Sequence, residues 1–159
     1  METPTIVVPG LPPLKDADRA ATWLRRAQEL ALEFVRDVYG DPIDEHCCPD
    51  CGFHPIDSTV VHITATEVWR HSRGRPCWSN LDVRAWIELV SRLTDGGMLD
   101  NMLLSLQAFY TFLVKFGHVR PGKARPIFRK LARHTVPIAQ RHGLLDAQGR
   151  PTSRVFGPN

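Results

Sequence analysis

Apolar residues recur at helical spacing through most of the chain. Ala20, Trp23, Leu24, Ala27, Leu30, Ala31, Phe34, Val35 and Val38 follow the three-and-four rhythm of one helix face, while Arg25, Arg26, Glu29, Glu33, Arg36 and Asp37 lie mostly on the other. This predicts a helix from about Ala17 to Tyr39, capped by Asp16 and stopped by Gly40 and Asp41-Pro42. A second stripe of Val83, Trp86, Ile87, Val90 and Leu93 predicts a helix opened by Ser79-Asn80-Leu81-Asp82 and ended by Gly96-Gly97. The stretch from Met98 to Phe116 is apolar nearly all round, which marks a helix central to its fold, with Gly117 as its cap. A last helix is expected from about Lys123 to His142. Pro126 is tolerable in its first turn, and Pro137 should kink or divide it.

Other segments break this rhythm. Residues 1–15 hold four prolines and a glycine and read as an extended N-terminal arm. Asp41 to Asp57 reads as a loop rich in Cys, His, Pro and Asp. The β-branched run Thr59 to Thr64 predicts a short strand, and Thr64-Ala65-Thr66-Glu67 has the form of a capping box opening a short helix to about Ser72. Leu144 to Phe156 predicts two short strands around Asp146-Ala147-Gln148-Gly149. The expected fold is mainly α: a bundle of about five helices in one domain over residues 16–159, with a zinc-stapled loop and a short C-terminal β-hairpin. A chain of 159 residues can bury about 70% of its unfolded surface, enough for one core.

The zinc expectation comes from Cys48-Pro49-Asp50-Cys51-Gly52. Two thiolates at this spacing can face one ion, Pro shapes the turn, and Gly permits a left-handed backbone beyond it. The segment resembles the metal knuckle of zinc ribbons, but no second Cys-x-x-Cys follows. The set expected to close the tetrahedron is Cys48, Cys51, His71 and Cys77, with His46, Cys47, His54 and His62 as alternatives. Disulfides among three cysteines within five residues would close almost no loop. With no secretory segment in the sequence, reduced thiols and a cytoplasmic location are expected. A structural role is favoured because His-x-Glu and His-Glu-x-x-His, which accompany catalytic zinc, are absent.

Charge is distributed unevenly. Residues 1–70 carry a net −6, residues 71–114 are neutral, and residues 115–159 carry +9. The candidate contacts for an anionic partner are Lys115, Arg120, Lys123, Arg125, Arg129, Lys130, Arg133 and Arg141. Asp100, Asn101, Gln107 and Lys115 interrupt the most apolar stretch, so no membrane span is expected.

Residues 80–126 bear a family resemblance. They contain Leu81-Asp82-Val83-Arg84-Ala85-Trp86, a double-glycine break, Ala108-Phe109-Tyr110-Thr111-Phe112-Leu113 and then Gly117-His118-Val119-Arg120-Pro121. This is similar to the SAM-like helical core-binding domain of tyrosine recombinases and phage integrases, in which an aromatic-rich helix ends in Gly, followed by a short turn and Pro. The resemblance implies a helical module that clasps duplex DNA with basic side chains. It does not extend to a recombinase catalytic domain, because no His is followed by Arg at the third position. The expected function is non-catalytic nucleic-acid binding, with DNA foremost. A protein-interaction adaptor or homo-oligomerising scaffold is the alternative, and a zinc-dependent hydrolase is the third reading.

Overall fold

A computed structural model describes residues 17–40 and 53–152, with the backbone alone for residues 39, 53–55 and 96. Among these residues the chain forms five α-helices: α1 (Ala17–Tyr39), α2 (Phe53–Arg70), α3 (Val83–Leu93), α4 (Gly96–Lys115) and α5 (Pro121–Arg141). A single 3-10 turn, Trp78–Asn80, leads into α3. No described helix is long and apolar enough to cross a membrane.

The largest departure from the sequence expectation is α2. The expected loop to Asp57, strand at Thr59–Thr64 and short helix are replaced by one helix from Phe53 to Arg70. The cause is burial in several directions. α2 packs against α1, α4 and α3, and Val60, Val61, Ile63, Thr64, Ala65, Thr66, Glu67, Val68 and Trp69 are all buried. A helix surrounded by partners shows no apolar stripe, and its β-branched residues imitate a strand. Its threonines bond within the helix: Thr64 Oγ1 donates to the Val60 carbonyl at 2.6 Å and Thr66 Oγ1 to that of His62 at 2.9 Å.

Polar links tie α2 to its neighbours. Trp86 Nε1 on α3 donates to Thr64 Oγ1 at 3.1 Å. Ser105 Oγ on α4 donates to Asp57 Oδ1 at 2.5 Å. Trp23 Nε1 on α1 donates to the Ala65 carbonyl at 2.8 Å. Trp78 packs between the rings of Trp23 and Phe109, at centroid distances of 4.7 and 5.3 Å. Tyr110, fully buried, donates its hydroxyl to the Trp78 carbonyl at 2.6 Å.

The placement of α5 follows from the end of α4. Gly117 takes φ 79°, where a side chain would be strained. Its N–H donates to Val114, and the N–H of His118 donates to Leu113 at 2.8 Å, a Schellman closure. The chain thereby reverses, and α5 packs along α4. Pro126 and Pro137 both lie inside α5, and Pro137 does not divide it. Pro137 is exposed, as is Arg133 four residues before it. The carbonyl that loses its helical donor is therefore on the solvent side. Beyond α5, Leu145 and Pro151 form one isolated antiparallel bridge around the turn at Asp146–Gly149, within the segment expected as a hairpin. The N-terminal arm, the end of the hairpin and the Cys48-to-Gly52 knuckle lie outside the described residues.

Candidate nucleic-acid interface

α5 carries Lys123, Arg125, Arg129, Lys130, Arg133 and Arg141 and contains no Asp or Glu. It is anchored by Ala124, Ile127, Leu131, Thr135 and Ile138, all buried. Phe128, Ala132 and Ala139 are only half-buried and flank it. Rotation of about 100° per residue divides the exposed surface into two rows. Arg125, Arg129 and Arg133 follow one another at intervals of four; Lys123, Lys130 and His134 lie on the other flank.

The eight basic candidates separate into two groups. Lys115 Nζ is 2.8 Å from Asp37 Oδ1 on α1 and 5.2 Å from the centre of the Phe116 ring. Arg141 Nη2 is 2.8 Å from Asp100 Oδ2 at the start of α4. These two charges are committed to the fold. Arg120, Lys123, Arg125, Arg129, Lys130 and Arg133 are exposed, and no ion pair joins them to a carboxylate among the described residues. Three of them sit at the N-terminal end of α5, which has no acidic residue in its first turn and no side-chain cap. The helix dipole disfavours cations there, so a bound anion would relieve both the dipole and the mutual repulsion.

A cleft of about 540 Å³ separates α5 from α3. Half-buried Ile87, backed by the buried Val83, supplies its apolar wall; Arg84, Lys130 and Arg133 supply cationic groups, and His134 lies beside them. Two carboxylates also line it, and both are engaged. Asp82 accepts the Ala85 N–H at 3.0 Å as the cap of α3, and Glu88 pairs with Arg84 at 3.3 Å.

Of the expected zinc ligands, Cys48 and Cys51 lie outside the described residues, as do His46, Cys47 and the side chain of His54. His71 and Cys77 are described, and both are exposed. His71 Nε2 is 3.3 Å from Glu67 Oε2, a buried carboxylate that also pairs with Arg70 at 3.2 Å. Cys77 Sγ lies 2.9 Å from Ser79 Oγ. A carboxylate on the far nitrogen of a histidine and a hydroxyl beside a thiol are outer partners that suit metal ligands. The described residues contain no group of three or more ligating side chains. His62 is partly buried on α2, and desolvation holds its pKa below the ordinary 6.5. Burial pushes the Tyr110 hydroxyl well above its usual 10, with the nearby Cys77 thiol adding to the effect, so Tyr110 stays neutral.

No protein-family model, curated protein or solved structure matches the chain. The cleft was missed in the sequence because it is a tertiary juxtaposition. Arg84 and Ile87 belong to a helix some forty residues before Lys130 and His134, and no local pattern joins the two.

Proposed function

We propose that the chain is a non-catalytic nucleic-acid-binding module, with DNA as its ligand, that uses the exposed basic face of α5. The observation carrying this reading is a helix with six Lys and Arg side chains, no carboxylate, and, among the described residues, only Arg141 committed to an internal ion pair. Such a surface attracts a polyanion and releases its counterions on contact. The resemblance of residues 80–126 to integrase core-binding domains points the same way. A zinc on Cys48, Cys51, His71 and Cys77 would act structurally, joining the knuckle to the turn after α2.

The test is fluorescence anisotropy of labelled duplex and single-stranded DNA at two salt concentrations. Each lost phosphate contact should reduce the log-log salt slope by about 0.9 on duplex DNA. Charge reversal by Arg129→Glu and Arg133→Glu should weaken binding and flatten that slope. Unchanged affinity and slope in the double variant would refute the reading.

A second reading, a protein-interaction or self-association surface, draws on Leu32, Val38, Met98 and Phe116, large apolar side chains that are 39–52% exposed. It predicts a concentration-dependent dimer or complex that is indifferent to nucleic acid.

A further inference from the structure

We propose that the cleft between α3 and α5 receives a single nucleotide, with its phosphate on the α5 cations and its base against Ile87. This rests on the nucleic-acid reading of α5 and assigns it a ligand chemistry: an unpaired nucleotide in preference to a paired one. Asp82 is occupied as a helix cap, and Glu88 offsets Arg84. Asp82 keeps its charge as a cap, so the lining sums to +1, with Arg84, Lys130 and Arg133 against Asp82 and Glu88. The net charge of the cleft is positive and favours an anionic ligand, with the excess on the α5 side beside His134.

The apolar wall then narrows the choice. A bare phosphate or a carboxylate has no use for Val83 and Ile87, which line the cleft from α3. Roughly 300–1,000 Å³ is the range of small-ligand sites, and about 540 Å³ falls inside it. A nucleotide joins an anionic group to a flat, weakly polar ring, which matches cations on one wall and aliphatic side chains on the other. A base paired within a duplex has its faces covered by its neighbours and cannot lie on that wall. An unpaired base has a free face, and contact with it tolerates any base identity. Arg125 and Arg129, which do not line the cleft, remain for flanking phosphates.

The experiment compares an oligothymidylate and a duplex of equal length as anisotropy probes, with the wild-type chain, Ile87→Gln, and the double variant Arg125→Glu, Arg129→Glu. Thermal unfolding of each variant verifies that it is folded. Lys130→Ala serves as a second cleft variant that leaves the apolar wall intact. Ile87→Gln, which alters the wall without adding charge, should weaken oligothymidylate binding by about tenfold, the scale of one lost apolar side-chain contact, and leave duplex binding within about twofold. The outer-row variant should weaken both probes. Thymidine monophosphate as competitor separates the sources of the ligand. Displacement of the strand shows that the cleft accepts a free nucleotide, and its failure shows that it needs the nucleotide within a strand. Equal losses on both probes from Ile87→Gln, or no loss from either cleft variant while the outer-row variant loses binding, would overturn the cleft proposal and leave the α5 reading standing. A wild-type chain that binds neither probe would overturn both.

Discussion

Lys115 Nζ rests 2.8 Å from Asp37 Oδ1, fastening the end of α4 to the end of α1. The most apolar helix therefore ends in a cation that already has its anion. Lys115→Ala should change DNA affinity and its salt slope far less than Arg129→Ala. Its effect on stability should be at most about 1 kcal/mol, the range of exposed pairs. Arg141→Ala, which releases Asp100, should behave like Lys115→Ala. The check is a salt titration of the single variants: the slope should drop by about 0.9 for Arg129→Ala and stay level for the other two. Equal drops in all three would show that the internal pairs open when DNA binds.

The bond from Trp86 to Thr64 makes a sharper prediction about stability. Both side chains are fully buried, and the indole N–H has the Thr64 hydroxyl as its acceptor at 3.1 Å. Thr64→Val keeps the shape and removes the acceptor, leaving a buried donor unsatisfied. It should cost about 1–3 kcal/mol, read as a lower urea midpoint with an unchanged m-value. Thr66→Val, whose hydroxyl bonds only to its own helix at His62, should cost less.

These two threonines also show why part of the fold was hidden in the sequence. α1 was legible to the residue, because it has one apolar side and one charged side and ends at a glycine. α3 and α5 were legible within a few residues for the same reason, and α4 because its long apolar run ends at Gly117. α2 was not: its hydrophobic positions face α1, α3 and α4 at once, so no stripe exists to be read. Thr-Val-Val-His-Ile-Thr reads as a strand until its hydroxyls are seen bonding back along a helix. The basic face of α5 was legible as a list of residues. That Lys115 and Arg141 are neutralised was not, because their partners Asp37 and Asp100 are 78 and 41 residues away. The cleft was hidden for the same reason, since it exists only where α3 meets α5.

His62 gives the protein a pH dependence of definite sign. Burial holds its pKa below 6.5 in the folded chain, whereas the unfolded chain returns it to that value. Below about 6.5 the unfolded state binds the proton first, so stability should fall as pH drops through that region and be insensitive to His62 above it. His62→Gln removes the titration. Urea midpoints of both proteins, taken between about pH 8 and pH 5 with a chelator present, should converge or cross as the pH falls. Parallel curves would assign the acid sensitivity to another group.

The zinc reading is tested most directly through a residue that does not bind the metal itself. Glu67 is buried, and its carboxylate engages His71 Nε2 at 3.3 Å, which leaves Nδ1 as the nitrogen for a metal. If His71 is a ligand, Glu67→Gln should weaken zinc binding by about 10–100-fold, the usual cost of losing such a partner. Cys77→Ser and the pair Cys48→Ser, Cys51→Ser should release the ion altogether. Metal content after purification from zinc-supplemented medium should be about one per chain, and a chelator should lower the unfolding temperature, because the energy of a structural site is folding energy. The variants separate the alternatives. Full zinc retention in both Glu67→Gln and His71→Ala, with loss in the Cys48, Cys51 pair, would move the fourth ligand to His46, Cys47, His54 or His62. Undiminished retention in the Cys48, Cys51 pair would remove the knuckle as a metal site.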